Sequence, residues 1–155
     1  MSTDISTIRK YLSNLKGLPA WGTARTHGSM FFVEIGKPLD RPGQVKTHGE
    51  WNFLIEMTEW RFETSESVLV GSDDAPEFID AKFQGMDLGL IESADVLPPT
   101  FDINITFSSG CRLRTFAASA LYAREDRKYW MLFCPDDNVW VARTLGGVEL
   151  RSRYA

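Results

Sequence analysis

Cysteine and histidine are scarce in this chain of 155 residues, with two of each. Cys111 and Cys134 form no CxxC pair and no disulfide framework. A Cys/His zinc site would have to gather all four residues from distant places. Both cysteines therefore read as packed thiols in a reducing compartment. Apolar runs are short, well under the roughly 18 residues that suggest a membrane-spanning helix. The start of the chain has no basic segment leading into an apolar one, so a cytoplasmic protein is expected. The common catalytic signatures are missing too. There is no GxSxG elbow, no HExxH and no phosphate-binding loop. Gly85 and Gly89 lack dinucleotide-fingerprint spacing, and Asp73-Asp74 has no calcium-binding loop around it. No cofactor is expected.

What is present is an ordinary globular composition. Hydrophobic residues make up 43% and charged residues 25%. Leu, Ile, Val and Phe account for 40 of the 155 positions, too many for a disordered chain. The net charge of −4 hides an uneven distribution: +3 over residues 1–50, −9 over 51–100 and +2 over 101–155. The acidic middle third argues against nucleic acid or an anionic membrane as its partner. It is compatible with a basic protein partner or with a simple solvated face.

Periodicity organises the chain. Ile5, Ile8, Leu12 and Leu15 form one stripe of a helix, with Thr3 placed to cap it, Gly17 to end it and Pro19 beyond. From Trp21 the period becomes two. Phe31, Val33 and Ile35 mark a strand, with a turn at His27-Gly28 before it. The Pro- and Gly-containing stretch 36–49 reads as an exposed loop. Trp51, Phe53, Ile55 and Met57 share one parity, whereas Trp60 and Phe62 take the other. The flip requires a bulge or a break near Thr58-Glu59. Val68 and Val70 suggest a short strand. Asp74, Pro76 and Glu77 open a second helix with capping-box-like spacing, burying Phe78, Ile79 and Phe83 and closing at Gly85. Phe101, Ile103, Ile105 and Phe107 alternate with polar residues, and further strands follow at 111–116, 129–134 and 139–143. The expected fold is α+β in one domain, residues 1–155. It comprises a helix within 1–17, a central helix and a twisted, mainly antiparallel meander of roughly eight to ten short strands.

Candidate site residues fall into four groups. His27, His48 and Glu50 could hold a metal if their turns met, and would then support an enzyme; the ordinary reading is two exposed turn histidines. Glu56, Glu59 and Glu63 follow one another near the parity flip, in the manner of paired catalytic carboxylates, although side chains at strand spacing usually face solvent. Trp140 and Trp60 are the candidate binding aromatics, with burial as the competing reading. Finally, if 111–117 pairs with 128–134, Cys111 falls opposite Cys134, and Arg112 and Arg114 cover the other face near Phe116.

The order of aromatics and turns runs from Trp21-Gly22, His27-Gly28-Ser29, Gly49-Glu50-Trp51 and Trp60-Arg61 to Phe107…Gly110, Trp130-Met131-Leu132 and Pro135-Asp136. It resembles a group of small bacterial proteins of unknown function. Its second half is similar to immunity-type domains of polymorphic toxin systems. Asp136-Asp137-Asn138 departs from the Asp-Gly turn of that pattern. The resemblance supplies no catalytic residues. The missing catalytic signatures and the acidic middle third make a non-catalytic interaction domain, immunity-like in kind, the leading expectation. It would bind a basic partner through Glu56, Glu59, Glu63, Glu66, Asp73 and Asp74 around an aromatic anchor. A small-molecule-binding β-domain and a metal-dependent enzyme are the alternatives. A homodimer through an exposed sheet edge is compatible with all three.

Overall fold

The computed structural model describes residues 5–40, 43, 47–117, 126–143 and 147–153. Thr3, the expected cap of the first helix, and Ala118–Glu125 lie outside the described residues. Helix α1 (Ile5–Ser13) buries Ile8 and Leu12. Leu15 in the following turn is buried as well. Gly17 adopts a left-handed φ of 86°. Its amide donates to the Ile91 carbonyl at 2.7 Å, which fastens the exit of the helix to the sheet.

Eleven strands follow among the described residues: β1 (Pro19–Arg25), β2 (Phe31–Leu39), β3 (His48–Ile55), β4 (Glu59–Glu63), β5 (Val68–Gly71), then helix α2 (Pro76–Gln84), β6 (Gly89–Leu97), β7 (Asp102–Phe107), β8 (Arg112–Phe116), β9 (Lys128–Phe133), β10 (Asn138–Arg143) and β11 (Gly147–Ser152). They form one sheet in the order β11-β10-β9-β3-β2-β1-β6-β7-β8-β4-β5. Every pairing is antiparallel. Most neighbours are consecutive in the chain, as in a meander. The exceptions are β3 with β9, β1 with β6 and β4 with β8.

The join between β1 and β6 is narrow, with only Pro19↔Leu90 and Ala20↔Gly89 in register. On either side of it the sheet folds over onto itself. The Phe31 ring of β2 lies 4.4 Å from Trp60 of β4 and 5.6 Å from Phe62, between centroids. Phe83 of α2 sits among all three. Tyr11 of α1 meets Trp140 of β10 edge-on at 5.0 Å. Both helices thus pack on the inner face and complete one core. Burying such aromatics is the largest favourable term available to a chain of this size.

Several sequence expectations change here. The exposed loop is shorter than 36–49, because β2 continues through Gly36, Lys37 and Pro38 to Leu39 and β3 begins at His48. Pro38 is tolerated because the β2–β3 register shifts between Ile35 and Pro38, a bulge where a ladder donor is not required. The parity flip after Met57 is a break. The chain leaves β3 in one half of the sheet and enters β4 in the other. At α2 the cap is Ala75, with no side-chain cap bond. Asp74 instead accepts from the Gly71 amide at 2.8 Å. Phe78 is exposed, with the Lys82 ammonium over its ring, and Ile79 and Phe83 carry the burial. Cys111 and Cys134 are not cross-strand partners, because β8 pairs with β7 and β4 whereas β9 pairs with β3 and β10.

Candidate functional site

Alternation fixes which side chains share the outer face of the larger half. Buried Phe31, Val33 and Ile35 of β2 and Trp51, Phe53 and Ile55 of β3 point into the core, so their neighbours point outward. The registers align these neighbours in rows across the strands. One row reads Trp21, Glu34, Asn52, Phe133, Val139, Arg151. The next reads Phe32, Leu54, Met131, Val141, Glu149.

Glu34 is the unusual member. Its carboxylate faces outward and yet is only 2% exposed. A buried carboxylate is costly unless its lone pairs are engaged by donors. Here they are. Oε2 contacts Nδ1 of His48 at 2.8 Å and accepts from the Gly49 amide at 3.3 Å. Oε1 accepts from Nδ2 of Asn52 in a short hydrogen bond. An ionised carboxylate can only accept, so Nδ1 of His48 carries the proton and Asn52 turns its amide nitrogen inward. Nε2 of His48 and Oδ1 of Asn52 are the atoms not turned to Glu34.

The local sequence explains the arrangement. The bulge at Gly36 (φ 86°) frees the Lys37 amide, which Glu50 Oε1 takes up at 2.7 Å. A Cβ on Gly36 would stand 2.8 Å from that same oxygen. A Cβ on Gly49 would stand 2.5 Å from the Ile35 carbonyl. Both positions therefore require glycine. Beside this polar floor lies a cleft of about 420 Å³ lined by Phe32, His48, Glu50, Asn52, Leu54, Phe133 and Arg153, with Gly49. His48 is 38% exposed at the side chain and meets the Phe32 ring edge-on at 6.5 Å. The Arg153 guanidinium lies over the Phe133 ring, 5.1 Å from its centroid. Its Nε is buried without a hydrogen-bond partner.

The anticipated site residues are distributed differently. His27 and His48 do not meet. His27 sits in the turn before β2 and His48 pairs with Leu39 at the far end of that strand. Eight strand steps separate these ends by on the order of 25 Å. Among the described residues no group of three or more His, Cys, Asp or Glu side chains could hold a metal ion. The trio His27, His48 and Glu50 is thus split, with only His48 and Glu50 in one cleft. Trp60 and Trp140 are not surface anchors. Trp60 is 2% exposed and donates its indole N–H to the Ser29 carbonyl at 2.7 Å. Trp140 is fully buried beneath α1, the layer that covers its side of the sheet.

The acidic residues part company as well. Glu56, Glu59 and Asp73 join His27 around a second cleft of about 260 Å³. Glu59 Oε2 is buried there without a partner. Glu63 is engaged internally, with Arg112 at 3.1 Å and Arg61 and Arg114 each at 3.4 Å. Burial pushes its carboxyl up, but Arg112, Arg61 and Arg114 together outweigh that and hold it below the ordinary range. Of the two arginines expected over Phe116, Arg114 lies there, joined by Arg61 of β4, while Arg112 pairs with Glu63 instead; the face is not shared with β9, because β8 pairs with β4 and β7. Glu66 and Asp74 occupy turns flanking β5, and both are exposed. Burial pushes the Cys134 thiol up to about 12 and raises that of Cys111, which makes both poor nucleophiles at neutral pH.

Sequence reasoning missed Glu34, Asn52, Phe32 and Arg153. Glu34 lies on the polar parity between Val33 and Ile35, where a solvated side chain is the normal inference. Only the cross-strand register shows that Asn52 and His48 enclose it. Arg153 is separated from the rest of the cleft in sequence and reaches Phe133 through the β10–β11 hairpin. Comparison of the chain with family models, with curated proteins and with solved structures finds no match. Among the described residues no helix is long and apolar enough to cross a membrane.

Proposed function

We propose that the chain is a small-molecule-binding β-domain whose ligand occupies the cleft over β2, β3 and β9. One observation carries this reading. The outward-facing carboxylate of Glu34 is buried and saturated, and it holds His48 and Asn52 in fixed orientations beside a cleft walled by Phe32, Leu54 and Phe133. Small-molecule sites are usually concave and mostly apolar, with a few preset polar groups and volumes of roughly 300–1,000 Å³. The cleft, at about 420 Å³, has that character. Orientation fixed before binding lowers the entropic cost of association.

The test is a ligand-observed NMR screen of metabolite-sized compounds against the wild-type chain and Leu54→Arg. Leu54 is half-buried on the outer face, so arginine there fills the cleft without entering the core. The reading expects binders of the wild type to lose at least about tenfold in affinity with the variant, while its melting temperature changes little. Equal binding to both proteins contradicts it.

A second reading keeps the chain as an immunity-like interaction domain for a basic protein. Its support is the convergence of Glu56, Glu59 and Asp73 on one cleft. Charge reversal at these three positions should slow association with such a partner and weaken its salt dependence. Association that ignores both salt and charge reversal excludes this surface.

A further inference from the structure

Resting on the binding role just proposed, we infer that the cleft over β2, β3 and β9 selects a monoanionic carboxylate with an apolar body and a neighbouring hydroxyl or amine donor. The inference comes from which polar groups in the cleft are already engaged. Glu34 is occupied by three donors and Glu50 by the Lys37 amide. Glu34 therefore needs no donor from a ligand, whereas Glu50 keeps one oxygen outside its bond to Lys37. Arg153 is different. Among the described residues its guanidinium forms no ion pair, and its Nε is buried without an acceptor. Nε itself is shut off from solvent, so a ligand in the cleft would meet the rest of the guanidinium, for which a charged acceptor is the best partner.

Arg153 is held over Phe133, 5.1 Å from the ring centroid. A guanidinium keeps its N–H groups in its own plane, where a planar carboxylate can take two of them side by side. Arg153 supplies a single positive charge and Glu50 lines the same cleft. A second negative charge on the ligand, as on a phosphate monoester, would find no second permanent cation among the lining residues and would face the Glu50 carboxylate. Asn52 Oδ1, whose amide nitrogen is turned to Glu34, and the Glu50 oxygen that the Lys37 amide does not use are acceptors at the cleft. They call for a donor on the ligand near its carboxylate. Phe32, Leu54 and Phe133 leave an apolar surface for its body.

The probes are 3-phenyllactate, 3-phenylpropanoate and 3-phenylpropanamide, titrated into the full chain by isothermal calorimetry at pH 7.5. Affinity should fall in that order. Arg153→Gln should weaken both carboxylates by about tenfold or more and change the amide by less than about twofold, as expected for loss of a charge-assisted pair. Arg153→Lys, which keeps the charge but not the planar fork, should recover only part of the loss. Amide binding as tight as carboxylate binding overturns the anion inference and leaves the binding role standing. Carboxylate affinity unchanged by Arg153→Gln does the same. If none of the three compounds binds, the inference falls, and the Leu54→Arg comparison with other compounds judges the binding role separately.

Discussion

Two buried carboxylates behave oppositely in this protein. Glu34 is enclosed by neutral or polar donors and serves to orient them. Glu63 is enclosed by three arginines and serves to neutralise them. The second arrangement has a consequence for acid stability. The Glu63 carboxyl is held low in the folded chain and is ordinary in the unfolded one. The unfolded state therefore takes up the proton first as the pH falls. The stabilisation is complete above the unfolded value of about 4.3 and disappears as the pH drops through the depressed folded value. Glu63→Gln should cost about 1–2 kcal/mol at pH 7, a modest figure because the arginines are partly solvated. It should also flatten the loss of stability below about pH 4. Urea titrations at several pH values measure both. A variant with the wild-type acid slope would show that Glu63 is not the linked group.

At the scale of elements, the strands were legible wherever one face was apolar. Trp51, Phe53 and Ile55 of β3 and Ile103, Ile105 and Phe107 of β7 alternate cleanly in sequence and in burial, and β2 does so except at Glu34, which is buried on the outer face. β6 was not legible, because Gly-Leu-Ile-Glu-Ser-Ala-Asp-Val-Leu leaves Leu90 and Leu97 exposed and breaks register between Ile91 and Ser93. β11 was hidden for a related reason, since as the terminal strand of the sheet it buries only Val148 fully. The end of β2 was hidden by Pro38 and Gly36, residues that normally signal a loop and here make a bulge. That bulge positions the candidate site. Gly49→Ala should destabilise the fold by about 2 kcal/mol or more, because its Cβ would press on the backbone of Ile35. Equilibrium denaturation gives the value. An unperturbed variant would mean that β2 and β3 separate more easily than the packing implies.

At the scale of the whole molecule, a narrow β1–β6 join lets one antiparallel sheet fold over a single aromatic core. Both helices complete the inner side, and the outer face of the larger half is left to carry the cleft. Tryptophan could not disclose this from the sequence. Trp60 and Trp140 are as large as any binding aromatic, and only the folding-over of the sheet and the docking of α1 decide that they are core. The groups that define the cleft lie on β2, β3, β9 and just after β11, and no local pattern links them. Mapping by backbone-amide NMR is the most direct test of the central claim. The chain, labelled with nitrogen-15, would be titrated with compounds found to bind it. The account predicts that the largest shifts cluster at Phe32, His48, Asn52, Leu54 and Phe133. Shifts clustering instead at His27, Glu56 and Asp73, or spreading with no centre, would contradict it.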